Sequence, residues 1–437
     1  MPLASRLLTA LAPWRQAPAW RVGFSGGLDS TVLLHLLAQL ARTESLPPLS
    51  AIHVHHGLQA AADAWPVHCE AFCRELGVPL LVERVTVPTG ASLEQAARRA
   101  RYEAFAKHLK TGDCLLAAQH RDDQAETLLF RLLRGAGVRG LVGIPAARPL
   151  GRGMLLRPLL DVSRAELEAY AREHGLRWIE DPSNTDTAFA RNYLRQRVLP
   201  LLAERWPRAV DNITRSAAHL AEAEALLAEL AQQDLAAARP GNDFDWLTVP
   251  SLALAPLLAL GESRQRNALR HWLAPFTPMP DSAHWAGWQA LRDAAGDAAP
   301  VWRLGGGELQ RSGGRLWWLS GAWLQAPACE LPWDDPSQPL ALPGNGLLHL
   351  EGAPPVGPLR VTCRRGGEQL ELAQRGRRDL KRLLNESAVP AFVRPRLPLL
   401  WRGGQLLGVA NLPALRQAGE TGWRLCWTAP TNDPGLS

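Results

Sequence analysis

The sequence predicts an α/β protein: a parallel-sheet domain first, then a mostly helical middle, then a small mixed α/β domain. Three observations carry this. Short apolar runs alternate with helix-period patterns from residue 19 to about 160. An alanine- and leucine-rich helical stretch opens near 212, and Gly/Pro/Trp-rich sequence full of turn signals occupies about 296–358. With 437 residues, 46% of them hydrophobic, the chain can bury more than one core. The domains are expected at 1–212, 213–350 and 351–437.

Four runs of 5–7 residues suit buried strands: Ala19–Phe24, Leu49–His55, Pro79–Val85 and Cys114–Ala118. Helices are expected over Thr31–Ala41, over Asp63–Leu76 and from Ser92, where Ser92 and Gln95 fit a capping box; Ser163 and Glu166 fit another. Such alternation implies βαβ units with helices on both faces of the sheet. Ahead of the first strand, MPLASRLLTALAPW carries Arg6 and Arg15 and suits a short amphipathic helix. Further on, Leu220, Leu226, Leu227, Leu230 and Leu235 stripe one long helix. Of the seventeen tryptophans, Trp317 and Trp318 lie in a strand-like core run, while Trp401, Trp423 and Trp427 fall in the basic last stretch, where residues 355–437 are net +7, and are candidates for stacking on RNA.

Composition excludes several classes. The longest apolar stretch, Val249–Gly261, is broken by Pro250 and Pro256 and falls short of the ~20 residues of a membrane span. The six cysteines are scattered with no CxxC pair, which suits reduced thiols and a cytoplasmic setting over a disulfide framework or zinc ribbon. Lys107, Lys110 and Lys381 are the only lysines, so no early loop can end in Gly-Lys-Ser/Thr and grip phosphate that way.

A lysine-free alternative stands directly after the first strand: Ser25-Gly26-Gly27-Leu28-Asp29-Ser30, running into an apolar helix. Two glycines allow a tight turn that brings N–H groups to an anion, and the helix N-terminus adds unpaired donors and partial positive charge. Ser25 and Ser30 add hydroxyls. Asp29 repels phosphate directly but suits a Mg²⁺ bridging to it. SGGLDS resembles the SGGxDS signature of the PP-loop ATP pyrophosphatases. That resemblance implies an adenine-nucleotide α-hydrolase-like fold, ATP cleaved to AMP and pyrophosphate, and activation of a substrate by adenylation.

Two further clusters follow strands. His53-Val54-His55-His56 ends the second; a dinuclear metal site would need more ligands than His120 alone supplies, so His53, His55 and His56 are expected to wall the nucleotide pocket. Gln119-His120-Arg121-Asp122-Asp123-Gln124-Ala125-Glu126 follows the fourth. Asp123 and Glu126, three apart, share a helix face, where a Mg²⁺ or a cationic substrate could be held.

Taken together these segments resemble the tRNA(Ile)-lysidine synthetase family. The match runs through HVHHGL, SLEQAARRARYEAF, AQHRDDQAET with RLLRGAG, WIEDPSN, ARNYLR and the late RRDLKRLLNESAVPAFVRPRLPLLW. Gln119 is a departure, standing where some members carry histidine. The resemblance implies ligation of free L-lysine to C2 of the wobble cytidine in the CAU anticodon of an isoleucine tRNA. ATP adenylates the base, the lysine ε-amine displaces AMP, and the codon read changes from AUG to AUA, the identity from Met to Ile. It implies ATP and Mg²⁺ as cofactors, tRNA(Ile) and L-lysine as partners, and neither membrane nor protein partner. On the residues, Asp29 suits the metal, Asp123 and Glu126 the ε-ammonium and its proton, and Arg98 or Arg101 the α-phosphate. His120, Asn184, Arg191, Asn192 and Arg195 are the remaining candidates for substrate contact.

The nearest rival is another PP-loop tRNA-modifying enzyme, a thiolase above all; the lack of paired cysteines argues against it. A non-catalytic RNA-binding protein is the rival from another class, and Asp29, Asp123 and Glu126 argue against that. The net charge of +6 conceals a division: residues 1–212 are net +5, 213–354 net −6 and 355–437 net +7. Two basic ends suit a tRNA held at two places.

Overall fold

The computed structural model describes residues 2–432 except 58–59, 88–92, 240, 242, 279–283, 296–297, 299 and 328–329. The proposed Ser92–Gln95 capping box therefore lies outside the described residues. The chain divides into two compact units, Met1–Ala225 and Leu226–Ser437. No helix among the described residues is long and apolar enough to cross a membrane.

The first unit runs α1 (Leu3–Leu11), β1 (Trp20–Gly23), α2 (Leu28–Leu40), β2 (Leu49–His55), α3 (Trp65–Leu76), β3 (Leu80–Arg84), α4 (Leu93–His108), β4 (Cys114–Leu116) and α5 (Arg121–Leu132). It continues with α6 (Val138–Leu141), β5 (Ala147–Leu150), β6 (Gly153–Leu156), α7 (Arg164–Glu173), α8 (Ala190–Tyr193), α9 (Leu199–Arg205) and the start of α10 (Ala209–Ala236). The four expected strands all form. The sheet order is β3-β2-β1-β4-β6-β5, parallel except for β5, which runs antiparallel to β6. The chain builds outward from β1 through β2 to β3, then returns to place β4 on β1's other side. The carboxyl ends of β1 and β4 therefore flank a topological switch point, where open α/β sheets bind ligands.

Burial explains why this centre is rigid. Leu115 and Leu116 of β4 and Trp20 and Val22 of β1 are fully inaccessible. Val32, Leu33, Leu34, Leu36 and Leu37 bury α2 nearly all round. That helix begins at Leu28, three residues before the expected Thr31, because Gly27 in an extended conformation is its N-cap. The α7 capping box forms as expected: the Glu166 amide donates to Ser163 Oγ, and the Ser163 amide donates to the Glu166 carboxylate at 2.8 Å.

The second unit packs α11 (Leu254–Leu258), α12 (Glu262–Leu273) and α13 (Trp285–Asp293) on an antiparallel sheet, β7-β10-β9-β8. Those strands are β7 (Ser251–Ala253), β8 (Val301–Leu304), β9 (Gly307–Ser312) and β10 (Arg315–Ser320), the last carrying buried Trp317 and Trp318. Its remaining part is built from β11 (Glu330–Trp333), β12 (Leu340–Leu342), β13 (Gly346–Gly352), β14 (Leu359–Cys363), β15 (Gln369–Leu372), β16 (Gly376–Asp379), α14 (Leu380–Glu386), β17 (Pro398–Arg402), β18 (Gln405–Val409) and β19 (Trp423–Thr428). Trp423 and Trp427 are 6% and 2% exposed, so they belong to this core and are not available for stacking on RNA. Cys69, Cys73, Cys114 and Cys426 are free thiols. Cys329 lies outside the described residues.

Because α2 carries the loop that faces the switch point, its packing is testable. Leu33→Ala should lower stability by about 2–5 kcal/mol in urea unfolding; a loss below about 1 kcal/mol would contradict the packing described.

Candidate active site

The turn between β1 and α2 is fixed at Gly26, whose φ is +84°. A Cβ there would stand 2.6 Å from Ile179 Cδ1 and 3.0 Å from Cys69 Sγ, so both conformation and space require glycine. The loop is braced from within. The Ser25 amide donates to Ser30 Oγ at 3.2 Å, the Ser30 hydroxyl donates to the Gly27 carbonyl at 3.0 Å, and the Ile179 amide donates to the Gly26 carbonyl at 2.8 Å. The first helical bond of α2 runs from the Thr31 amide to the Gly27 carbonyl. The amides of Leu28, Asp29 and Ser30 precede it and form a donor set for an anion at a helix N-terminus.

Across the switch point, β4 delivers His120 as the N-cap of α5. Its imidazole is fully buried, with Nε2 3.6 Å from both Asp29 Oδ2 and Asp123 Oδ2 and Nδ1 3.5 Å from Asp122 Oδ2. Burial alone would lower this imidazole; the three carboxylates outweigh it and push the group up to about 10. The Asp122 amide lies 3.2 Å from Nδ1. Nδ1 accepts that amide as the N-cap of α5, which leaves Nε2 facing Asp29 and Asp123. Burial likewise opposes ionisation of Asp29, yet His120, Arg164 and Arg195 hold it below the usual carboxylate range.

Arg195 completes the cluster. Its Nε lies 2.6 Å from Glu126 Oε1, and its Nη2 lies 3.0 Å from both Glu126 Oε2 and Asp123 Oδ1. Burial raises the Glu126 carboxyl even against Arg195. Asp29, His120, Asp123, Glu126 and Arg195 thus share one network. Arg164, which sequence reasoning missed, joins it: its Nη1 is 3.8 Å from Asp29 Oδ2 and its amide donates to Asp122 Oδ2 at 2.9 Å. The Ser163 capping box was the available signal, since it marks a helix beginning just after β6 at the carboxyl edge of the sheet.

The other candidates form separate groups. Buried His53 shares a 2.9 Å hydrogen bond with the Phe24 carbonyl through Nδ1, and buried His55 lies 3.2 Å from Asp63. His56 accepts from Arg101 Nε at 3.2 Å, and burial with Arg101 drives it down to about 4, so it stays neutral. Exposed Arg98 stacks over Tyr102, 5.0 Å from the ring centroid. Asn192 donates to the carbonyls of Ser183 and Asp186 at 2.8 Å each, tying the loop containing Asn184 together; Arg191 makes no ion pair among the described residues. Gln119 is held structurally, its carbonyl accepting from Arg157 at 2.9 Å.

Which group could such a site take? Asp29 Oδ1 is buried with no hydrogen-bond partner. An unmatched carboxylate oxygen beside an anion-binding helix terminus fits a hard cation such as Mg²⁺.

This loop and sheet define a PP-loop ATP-utilising protein, and residues 2–202 match the PP-loop domain family. Residues 252–317 match the TilS substrate binding domain, and 359–427 the TilS substrate C-terminal domain. A tRNA(Ile)-lysidine synthase from Pseudomonas aeruginosa is 64% identical over 440 residues, covering 100% of this chain and 99% of its own. Another from Alkalilimnicola ehrlichii is 45% identical, with 96% and 95% covered; one from Escherichia coli is 42% identical, with 93% and 95% covered. The chain belongs to the tRNA(Ile)-lysidine synthase family.

Gly26→Ala should abolish ATP binding, read by fluorescent-nucleotide titration, because the turn cannot keep its φ. Undiminished nucleotide affinity would show that the loop does not depend on this glycine.

Proposed function

We propose that the protein joins free L-lysine to C2 of the wobble cytidine in the CAU anticodon of an isoleucine tRNA, cleaving ATP to AMP and pyrophosphate. The observation that carries this reading is one crevice holding an anion-binding helix terminus and, linked to it through His120, an acid pair able to grip an ammonium.

The chemistry has two displacements. The cytosine C2 oxygen bonds to the α-phosphorus while the bond to pyrophosphate breaks; then the lysine ε-nitrogen bonds to C2 and the oxygen leaves with AMP. In the first, the leaving pyrophosphate meets the amides of Leu28, Asp29 and Ser30, and exposed Ser25 supplies a hydroxyl, while the Ser30 hydroxyl braces the loop. His53, His55 and His56 wall the nucleotide. Arg164, beside Asp29, joins Arg98 and Arg101 as a candidate to neutralise the α-phosphate. In the second, the substrate ammonium has a pKa near 10.4 in water and must lose a proton to attack. Asp123 and Glu126 hold it, and Glu126, whose carboxyl is raised by burial, accepts the proton. Asp29 would hold Mg²⁺, which when bound spreads the negative charge of the phosphates.

Residues 213–350 would position the tRNA and 351–437 would bind it. In support, β16 is exposed throughout and presents Arg377 and Arg378.

The direct test incubates the protein with labelled lysine, ATP, Mg²⁺ and transcripts bearing CAU; lysine-dependent labelling is expected, and none in any such tRNA would sink the proposal. Asp29→Ala should cut ATP-dependent turnover by roughly 10²-fold or more while sparing tRNA binding. Full activity in that variant would refute its role. Replacing Arg377 and Arg378 by Gln should weaken tRNA binding and flatten the log K against log salt slope by about 1–2; an unchanged slope would remove this strand from the interface.

A further inference from the structure

The two acids proposed for the lysine ammonium already hold a cation. Three carboxylate oxygens, Glu126 Oε1 and Oε2 and Asp123 Oδ1, are engaged by the single guanidinium of Arg195. The Glu126 side chain is 2% exposed, so while it is ionised its carboxylate needs a positive partner. An ammonium carries three donors and would need these same oxygens, and two cations crowded onto them would repel.

We infer that Arg195 is a resident stand-in for the substrate's ammonium, a positioning latch that lysine must displace. This rests on the reading of Asp123 and Glu126 given above. Arg195 itself is suited to leave. Its side chain is 33% exposed, unlike its acid partner, and it comes from a wide π-helical turn, Leu194–Val198, between α8 and α9. Such turns accommodate small shifts of register and occur often at functional sites. Arg195 also lies within electrostatic reach of Asp29, on the phosphate side of the cluster. Once the base is adenylated, the AMP phosphate at C2 offers the guanidinium a fork-shaped anion to pair with. The acid pair then opens to lysine. The latch thereby sets an order: lysine enters after adenylation, and the free enzyme holds lysine weakly.

The test is calorimetric titration of L-lysine into the full chain without ATP or tRNA, on wild type, Arg195→Gln and Arg195→Lys. Arg195→Gln should bind lysine about tenfold tighter than wild type or better. In steady-state lysidine formation its lysine KM and its kcat should fall together. Arg195→Lys, which keeps a cation but loses the fork, should fall between. Lysine affinity unchanged or weakened in both variants overturns the latch. Should Arg195→Gln fail to melt cooperatively, Arg195→Lys alone decides, by the same criterion. Wild type that labels no CAU-bearing tRNA would instead overturn the proposed function, whatever the variants do.

Discussion

Four carboxylates, Asp29, Asp122, Asp123 and Glu126, converge at the carboxyl edge of the sheet, and this crowding is the constraint on which the rest of the site depends. Like charges so placed would drive the segments after β1 and β4 apart or force proton uptake. His120 and Arg195 prevent this from within, one buried among three acids and the other clamping two. Arg164 adds charge from α7. The cluster is therefore structural and chemical at once. Through His120 it ties the phosphate loop to α5.

Two kinds of group share the work. The phosphate side is mostly backbone: Gly26 sets the turn, internal serine bonds brace it, and helix amides face the anion. Such a site needs no lysine, and the chain has none in its first hundred residues. The acid side is built from side chains, and burial raises the Glu126 carboxyl, the direction that the proposed proton transfer from an amine would need.

Much of this was legible in the sequence, and the reasons differ by element. The run Leu49–His55 became β2 at both ends, since Pro47-Pro48 before it and His56-Gly57 after it bound the apolar run. The glycines and Asp29 were legible because a tight turn before a helix has few chemical solutions. The start of α2 was misplaced, as Leu28-Asp29-Ser30 resembles loop yet forms the first helical turn behind Gly27. The β5–β6 pair went unread, because Pro149 and Gly151 interrupt a short run and β5 is an edge strand, where proline is tolerated. Arg164 was passed over as part of a capped helix. Arg195 was marked for substrate, but its pairing with Glu126, 69 residues away in the chain, is a tertiary fact that spacing does not encode.

The central claim is that one crevice performs two displacements in order, with the acid pair idle until the base is adenylated. A single-turnover experiment with α-labelled ATP and a CAU-bearing isoleucine tRNA tests it most directly. Without lysine, adenylated tRNA should accumulate with matching pyrophosphate release, then discharge as AMP when lysine is added. Pyrophosphate release that strictly requires lysine, or AMP release without it and no adenylated tRNA, would contradict the account.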